Sequence, residues 1–197
     1  MSAKNVLYNF EKIDTEEKAY WLGFLYADGS VGSKDDRIEL GLAEKDFHHI
    51  EKFRDFIGIN NKISYREKTK SYRYSFKSQN CKQDLIKQGC VPKKSLILKY
   101  PTYEQVPKEL SRHFIRGYVD GDGCLSYQDL EHKRATINIL GTYDMLTNIQ
   151  NWLPLEFERK INENYSENVN ALLFQGKTAF HVANYLYKNS NIRITRN

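Results

Sequence analysis

Residues 21–29 read WLGFLYADG and residues 115–123 read IRGYVDGDG. Gly23 pairs with Gly117, Asp28 with Asp122 and Gly29 with Gly123, each across the same offset of 94 residues. Three identities in nine positions carry little alone, so the case rests on the segments downstream of each string. After the first comes SVGSKDDRIELGL, in which Ile38, Leu40 and Leu42 alternate with Arg37, Glu39 and Gly41, the period of a half-buried strand. After the second, Ala135, Ile137 and Ile139 alternate with Arg134, Thr136 and Asn138. Each predicted hairpin leads into a helix-like segment, DFHHIEKFRDFIG in one half and YDMLTNIQNWL in the other. Two more strand-like stretches come next, near 62–68 and 71–77, and near 157–162 and 169–175. Helices near 80–89 and 177–188 close the halves. The expected fold class is therefore α+β, a pseudo-twofold duplication of an αββαββα unit. The first repeat is expected over 1–90, a linker over 91–106 and the second repeat over 107–197; the stretch 91–107 holds three of the four prolines.

The two strings read as helices with defined ends. Asp14 is the expected cap of the first, with Glu17 three residues on completing a capping box. Pro107 falls in the first turn of the second, where its missing N–H costs nothing. Both helices are expected to stop at Asp-Gly, with Gly29 and Gly123 in the left-handed conformation that ends helices. Gly23 and Ala27 lie four apart, as do Gly117 and Gly121, so each helix carries a strip of small residues along one face. A glycine inside a helix costs up to about 1 kcal/mol, and close packing of the two strips offsets it. Such packing sets Asp28 and Asp122 side by side at paired C-terminal ends. A carboxylate is disfavoured at the negative end of a helix dipole and two carboxylates repel, so a positive partner is required. Hard divalent cations take carboxylate and carbonyl oxygens, and two such groups beside a basic surface suit metal-assisted phosphodiester hydrolysis.

Composition narrows the field. Of the 197 residues 40% are hydrophobic, enough for a packed core, yet no apolar run reaches the length of a membrane span. The N-terminal stretch lacks the apolar centre of a secretory signal, and the three cysteines (Cys81, Cys90, Cys124) lack CxxC spacing. A cytoplasmic protein is expected, without a disulfide framework or structural zinc. The formal net charge of +5 is unevenly placed: residues 1–100 hold 19 Lys and Arg against 14 Asp and Glu, and residues 101–197 hold 11 of each. Within KISYREKTKSYRYSFK (62–77) six basic residues meet one acid, interleaved with aromatics, as a polyanionic partner demands.

The paired strings resemble the LAGLIDADG motif of homing endonucleases, in the layout of its single-chain, two-motif members, over about residues 14 to 188. GYVDGDG is close to the family pattern; the first copy departs from it at Tyr26, where the family often has a structural acid, matched here by Asp120. The resemblance implies two curved antiparallel sheets forming a DNA-binding saddle. It implies metal binding by Asp28 and Asp122, with the carbonyls of Ala27 and Gly121 as further contacts. It also implies cleavage of both strands of a long, non-palindromic site with Mg2+, which Mn2+ can replace and which Ca2+ replaces only for binding. Lys77 and Gln175, after Phe76 and Phe174, match the lysine or glutamine that family members place near each centre, and Glu44 is a second candidate for positioning water. The five histidines show no shared spacing, against a histidine-ligated metal.

On the 62–77 hairpin, alternation sets Tyr72, Tyr74 and Phe76 against Arg73, Ser75 and Lys77, and Ile63 and Tyr65 against Lys62, Ser64, Arg66 and Lys68. With Arg37 and Lys70 these polar residues are the expected DNA contacts of the first half. Arg134, Thr136, Asn138, Lys160 and Gln175 are those of the second, with Asn162 beside them. Strands of about ten residues would span roughly 33 Å, close to one duplex turn, so two sheets would cover roughly 20 base pairs. A monomer bound to double-stranded DNA is expected, with no membrane partner. The alternatives are an RNA maturase that binds intron RNA, a non-cleaving DNA-binding protein on the same scaffold, and an unrelated α+β domain with fortuitous Asp-Gly turns.

Overall fold

The computed structural model describes residues 10–132, 134–157, 159–166 and 169–195. Each half runs helix, two strands, helix, two strands, helix. The first comprises α1 (Glu16–Ala27), β1 (Gly29–Val31), β2 (Arg37–Ala43), α2 (Phe47–Ile57), β3 (Ser64–Arg66), β4 (Ser71–Lys77) and α3 (Gln79–Lys87). The second comprises α4 (Ser111–Asp122), β5 (Gly123–Asp129), β6 (Arg134–Gly141), α5 (Tyr143–Trp152), β7 (Ile161–Ser166), β8 (Val169–Gln175) and α6 (Gly176–Tyr187). The strands form two antiparallel four-stranded sheets of identical topology, β1-β2-β4-β3 and β5-β6-β8-β7.

Period-two alternation decides which face of each sheet is buried. Ile38, Leu40, Leu42, Tyr74 and Phe76 turn one face of the first sheet inward, and Ala135, Ile137, Ile139, Leu172 and Phe174 do the same in the second. Both faces join one continuous core around α1 and α4. In α1 every residue from Ala19 to Tyr26 is buried, as is every residue from His113 to Asp120 in α4. Helices covered on all sides belong at the centre of a domain.

The small residues permit the central contact. A Cβ on Gly23 would fall on the Phe114 carbonyl, 2.9 Å from its carbon and 3.0 Å from the Tyr118 nitrogen. A Cβ on Gly117 would meet the Tyr20 carbonyl and the Phe24 nitrogen at the same two distances, 2.9 and 3.0 Å. The contacts are reciprocal because Tyr20 and Phe114 are themselves 94 residues apart, so the repeat in sequence is a twofold relation in space. Further along, a Cβ on Gly121 would collide with that of Ala27.

Three expectations about the helix ends change. The cap of α1 is Thr15, whose hydroxyl accepts from the Lys18 N–H at 3.2 Å, while Asp14 forms an ion pair with Lys18 at 2.9 Å. Pro107 precedes a short 3-10 turn, Lys108–Leu110, and α4 proper starts at Ser111. Neither Gly29 nor Gly123 is left-handed: Gly29 opens β1, and Gly123 is extended at φ −100°. Space is the reason for both glycines. Each strand leaves its helix so tightly that a Cβ on Gly29 would lie 2.6 Å from the Leu25 carbonyl oxygen, and one on Gly123 2.9 Å from a Val119 methyl.

The expected linker is an ordered strap. Lys94 to Leu96 form a 3-10 turn, the Leu98 carbonyl accepts from Thr142 at 2.7 Å, and the Tyr100 N–H donates to Asp144 at 2.7 Å. The segment after α6 crosses the other way: Asn191 bonds Glu16 through backbone and side chain, and the Ile194 N–H donates to Asp120 at 2.9 Å.

Candidate active site and nucleic-acid interface

The paired helices bring Asp28 and Asp122 to one place. Asp28 caps α1 and Asp122 is the last residue of α4. The point where a Gly121 side chain would begin lies 3.5 Å from a carboxylate oxygen of Asp28. Burial, and then the negative charge of Asp28, push the Asp122 carboxyl up to about 6 against the opposing pull of Lys94. One turn back, the Tyr118 hydroxyl donates to the Leu140 carbonyl at 2.9 Å, tying the end of α4 to the second sheet.

The positive charge supplied by the protein is Lys94, a residue that the sequence shows only as part of the linker. Its ammonium donates to the Gly29 carbonyl at 2.6 Å and to the Ala27 carbonyl at 3.2 Å, and the residue is only 8% exposed. A cation there answers the negative end of the α1 dipole. The Ala27 carbonyl, expected to face a metal, is thus bonded to an amine. Proline spacing marks 91–107 as connection, and nothing local says that the connection doubles back to the end of α1.

The donor set fits a hard divalent cation. Among the described residues no group of three or more His, Cys, Asp and Glu side chains gathers, so the side-chain contribution is the two carboxylates. Magnesium accepts one or two carboxylates and completes its shell with water and phosphate oxygens. Two neighbouring acids, one of them raised by burial and then by the charge of the other, are where such an ion gains most.

Lys77 and Gln175 are not brought to this centre. Gly29 pairs with Leu40, and Leu40 with Tyr74, while Lys77 lies opposite Arg37, three residues farther along. That is about 10 Å along the strand and two strand spacings across. Lys77 is instead ion-paired with Asp35 of the β1–β2 turn at 3.3 Å. Gln175 stands in the matching place: Gly123 pairs with Ile139 and Ile139 with Leu172, whereas Gln175 lies opposite Thr136. Glu44 accepts from the Tyr65 hydroxyl at 3.4 Å and its N–H bonds the Lys70 carbonyl, at the edge of the first sheet.

The outward faces of the two sheets differ. On the first, register aligns Arg37 with Lys77, Glu39 with Ser75, Gly41 with Arg73 and Ser64, and Ala43 with Ser71 and Arg66. Four cations stand there, although Arg73 is paired with Glu39, and Arg37 and Lys77 both lean on Asp35. Lys62 precedes β3, Lys68 sits in the turn Glu67–Thr69, and Lys70 adopts a left-handed φ of 45°, so Lys68 and Lys70 extend the sheet from the hairpin turn and Lys62 from the other end of β3. On the second sheet the rows are Cys124, Asn138 and Leu173, and Ser126, Thr136 and Gln175. Those rows are neutral; Arg134 lies at the open end and Lys160 is exposed just before β7. The longest strands have seven and eight residues, about 25 Å rather than 33 Å.

Away from the groove, Asp120 accepts from the Tyr20 hydroxyl at 2.7 Å, the Tyr187 hydroxyl at 2.6 Å and the Ile194 N–H. Arg116, fully buried, donates to Glu16 at 2.8 Å and to the carbonyls of Leu186 and Ile192. Tyr26 occupies the matching position in α1 and donates to the Gln88 carbonyl. A phenol that reaches a carbonyl directly needs no carboxylate to organise its surroundings, which accounts for the departure from the repeat at that position.

No family model and no curated protein sequence matches the chain. Solved structures do. The LAGLIDADG homing endonuclease I-LtrWI bound to target DNA is similar over 92% of this chain and 86% of that one, at 11% identity and a TM-score of 0.58. The LAGLIDADG meganuclease I-AabMI bound to uncleaved DNA is similar over 89% and 84%, at 12% identity and 0.57. I-SmaMI, bound to an uncleaved DNA target in the presence of calcium ions, is similar over 86% and 82%, at 11% identity and 0.55. With two αββαββα halves, two four-stranded antiparallel sheets and a central glycine-packed helix pair, the chain has the fold of the LAGLIDADG homing endonucleases.

Proposed function

We propose that the protein is a site-specific endonuclease that hydrolyses both strands of a non-palindromic DNA duplex, acting as a monomer with Mg2+. The observation that carries this reading is the meeting of Asp28 and Asp122 at the ends of α1 and α4, between two sheets with polar outward faces. Asp28, Asp122 and backbone oxygen would hold a divalent ion there, and that ion would supply an activated water and charge stabilisation at the departing oxygen. Mn2+ would replace Mg2+, and Ca2+ would support binding alone. Lys94 holds a fixed positive charge beside the backbone that approaches the site, and preorganised charge of that kind stabilises a pentacovalent phosphate.

The first sheet, with Arg66, Arg73, Arg37 and Lys77, engages phosphates and guanine edges; the second, with Ser126, Thr136, Asn138 and Gln175, reads its half-site through neutral donors and acceptors. Two sheets with strands of about 25 Å, extended by their hairpin turns, suit a site of at most about 20 base pairs.

Selection from a randomised duplex library tests the reading. Fragments retained in Ca2+ and then challenged with Mg2+ should be cut at one position on each strand. Retention without cutting would leave a DNA-binding protein, and retention of structured intron RNA alone would leave a maturase. Charge carries a further expectation. Arg66→Glu with Arg73→Gln should weaken binding about 100-fold and lower the salt slope by about two. Footprinting should show the loss in one half-site. Equal loss across both would mean that the first sheet does not lie on its own half of the duplex.

A further inference from the structure

On the outward face of the first sheet, Arg73 of β4 is ion-paired with Glu39 of β2. Register sets Arg73 opposite Gly41, two residues along β2 from that acid. Glycine opens the path between them. The Arg73 Nε lies 3.9 Å from where a Gly41 Cβ would begin, so the guanidinium crosses β2 over a residue with no side chain and meets Glu39 diagonally. The pair sits low on the sheet, with side-chain exposures of 33% and 17%, against 63% for Lys77 and 51% for Arg37 at the turn end. The fork of Arg73 is therefore held in one orientation. The second sheet repeats the register without the chemistry. Ile139 pairs with Gly123 as Leu40 pairs with Gly29, so Asn138 stands where Glu39 does, and Ala171, opposite Leu140, stands where Arg73 does.

We propose that Arg73, oriented by Glu39, reads the guanine of a G·C pair within about three base pairs of the cleavage position in the first half-site, and that the mirrored position of the second half-site has no such requirement. The inference rests on the first sheet being a DNA-contacting surface, and adds to that reading a base pair and a positioning residue. A carboxylate on a face that meets phosphates weakens binding by repulsion, so Glu39 needs a use there. Its Oε1 accepts from Nη1 of Arg73, and the pair then presents two adjacent N–H donors with an oxygen acceptor beside them. The major-groove edge of G·C runs acceptor, acceptor, donor: guanine N7, guanine O6, cytosine N4. The two patterns are complementary. An A·T pair would set the adenine N6 amine against the guanidinium and the thymine O4 against the carboxylate. Location follows from register. Leu40 pairs with Gly29, the residue after Asp28, and strand spacing and rise place Arg73 and Glu39 within about 10 Å of Gly29. At about 3.4 Å per base pair, that is within about three base pairs of the phosphate that Asp28 would face.

The test measures binding in Ca2+ to duplexes retained from the randomised library. Retained sequences should share a G·C pair in that window of the first half-site. Exchanging it for A·T should weaken the wild type about 30-fold. Replacing its guanine with 7-deazaguanine, which keeps base pairing and loses only the N7 acceptor, should weaken it about tenfold. Arg73→Lys keeps the charge and loses the fork, so it should bind all three duplexes within about threefold of one another. Glu39→Gln should bind every duplex more tightly, because a negative charge leaves the face, and should discriminate G·C from A·T about tenfold less well. If Glu39→Gln fails to fold, Arg73→Lys and the 7-deazaguanine duplex still decide. No G·C preference in the window, or an Arg73→Lys variant that keeps the 30-fold ratio, would overturn the inference. An unchanged ratio in a folded Glu39→Gln would overturn it as well, since a purely structural acid would alter stability alone. Every readout is binding, so a wild type that reads the pair and never cuts in Mg2+ would overturn the nuclease reading and leave this one standing. A duplex that is cut without the preference would do the reverse, and retention of no duplex would overturn both.

Discussion

Asp28→Asn and Asp122→Asn should each remove cleavage of the target, by at least about 10³-fold, while duplex binding should stay intact or tighten. Asparagine keeps the shape and loses the charge, so the effect isolates what the carboxylates hold. Repulsion between the two acids, and between them and DNA phosphates, falls at the same time, which is why affinity does not drop. Full double-strand cutting by both variants would end the metal assignment. The same substitution has a second, metal-free signature. Burial and Asp28 raise the Asp122 carboxyl from 3.8 to about 6. The folded state therefore keeps a proton that the unfolded chain has lost between those values. Stability from this group is present below about 4 and is lost as pH rises through 6. A shift of that size corresponds to on the order of 3 kcal/mol. Asp122→Asn should match wild type in urea melts at pH 4 in EDTA and exceed it by about that amount at pH 8. His113, pushed down to about 4 by burial and the Arg116 charge, contributes the opposite slope, so the difference between the two proteins is the quantity to measure. A variant that is less stable at pH 8 would place Asp122 in a solvated, unrepelled setting.

The range of the forces involved decides which features are legible in sequence and which are not. Alternation of Ile38, Leu40 and Leu42 with Arg37, Glu39 and Gly41 fixes a sheet face through nearest neighbours, and the expected inward and outward sets are those observed. The four-residue spacing of Gly23 and Ala27, and of Gly117 and Gly121, is likewise a local pattern with one physical use, and the helices meet on it. The expected cap is off by one position because Asp14 and Thr15 are both able caps, and backbone direction makes the choice: Thr15 is already extended, and Asp14 is occupied by Lys18. Sequence locates Gly29 and Gly123 but assigns them the wrong use, since a tight exit from a helix and a left-handed turn both demand glycine and only contacts tell them apart. Register displaces Lys77 and Gln175 from their expected places. Counting strands correctly does not say how far along its neighbour each strand slides, and three residues of slip carry a side chain out of the centre. Lys94 has no signature at all. Its position depends on the strap returning to α1 across a separation of 65 residues or more.

Asymmetry between the halves has a common source in these long-range contacts. α1 meets its surroundings with Leu22 and Tyr26 where α4 uses Arg116 and Asp120; the strap after α3 sends the Lys94 amine to the Ala27 and Gly29 carbonyls, and the segment after α6 sends the Ile194 N–H to Asp120. The repeated backbone is held by repeated glycines. The chemistry between the repeats has been free to diverge because each polar group needs only its own partner satisfied.

Gly117→Leu should destroy that shared frame. At this position even a methyl group would sit 2.9 Å from the Tyr20 carbonyl carbon and 3.0 Å from the Phe24 nitrogen. Both are helix backbone, so no side chain can rotate away, and relief requires α1 and α4 to separate. Separation opens the contact along the whole strip, from Tyr20 and Phe114 to Ala27 and Gly121, and withdraws Asp28 from Asp122 at its end. Overpacking that a flexible core absorbs costs about 1–3 kcal/mol; here the loss should exceed about 4 kcal/mol, the range reserved for cavities, buried charges and backbone collisions. Gly117→Ala should already lose about half of that, despite the better helix propensity of alanine. Gly41→Ala supplies the contrast. Gly41 lies on the outward face of β2 with its nearest neighbour 3.8 Å from an added Cβ, so that variant should melt within about 0.5 kcal/mol of wild type. Urea midpoints at pH 7 order the three variants. Were Gly117→Leu as stable as Gly41→Ala, α1 and α4 would not be in backbone contact, and the aspartates at their ends would have no reason to share an ion.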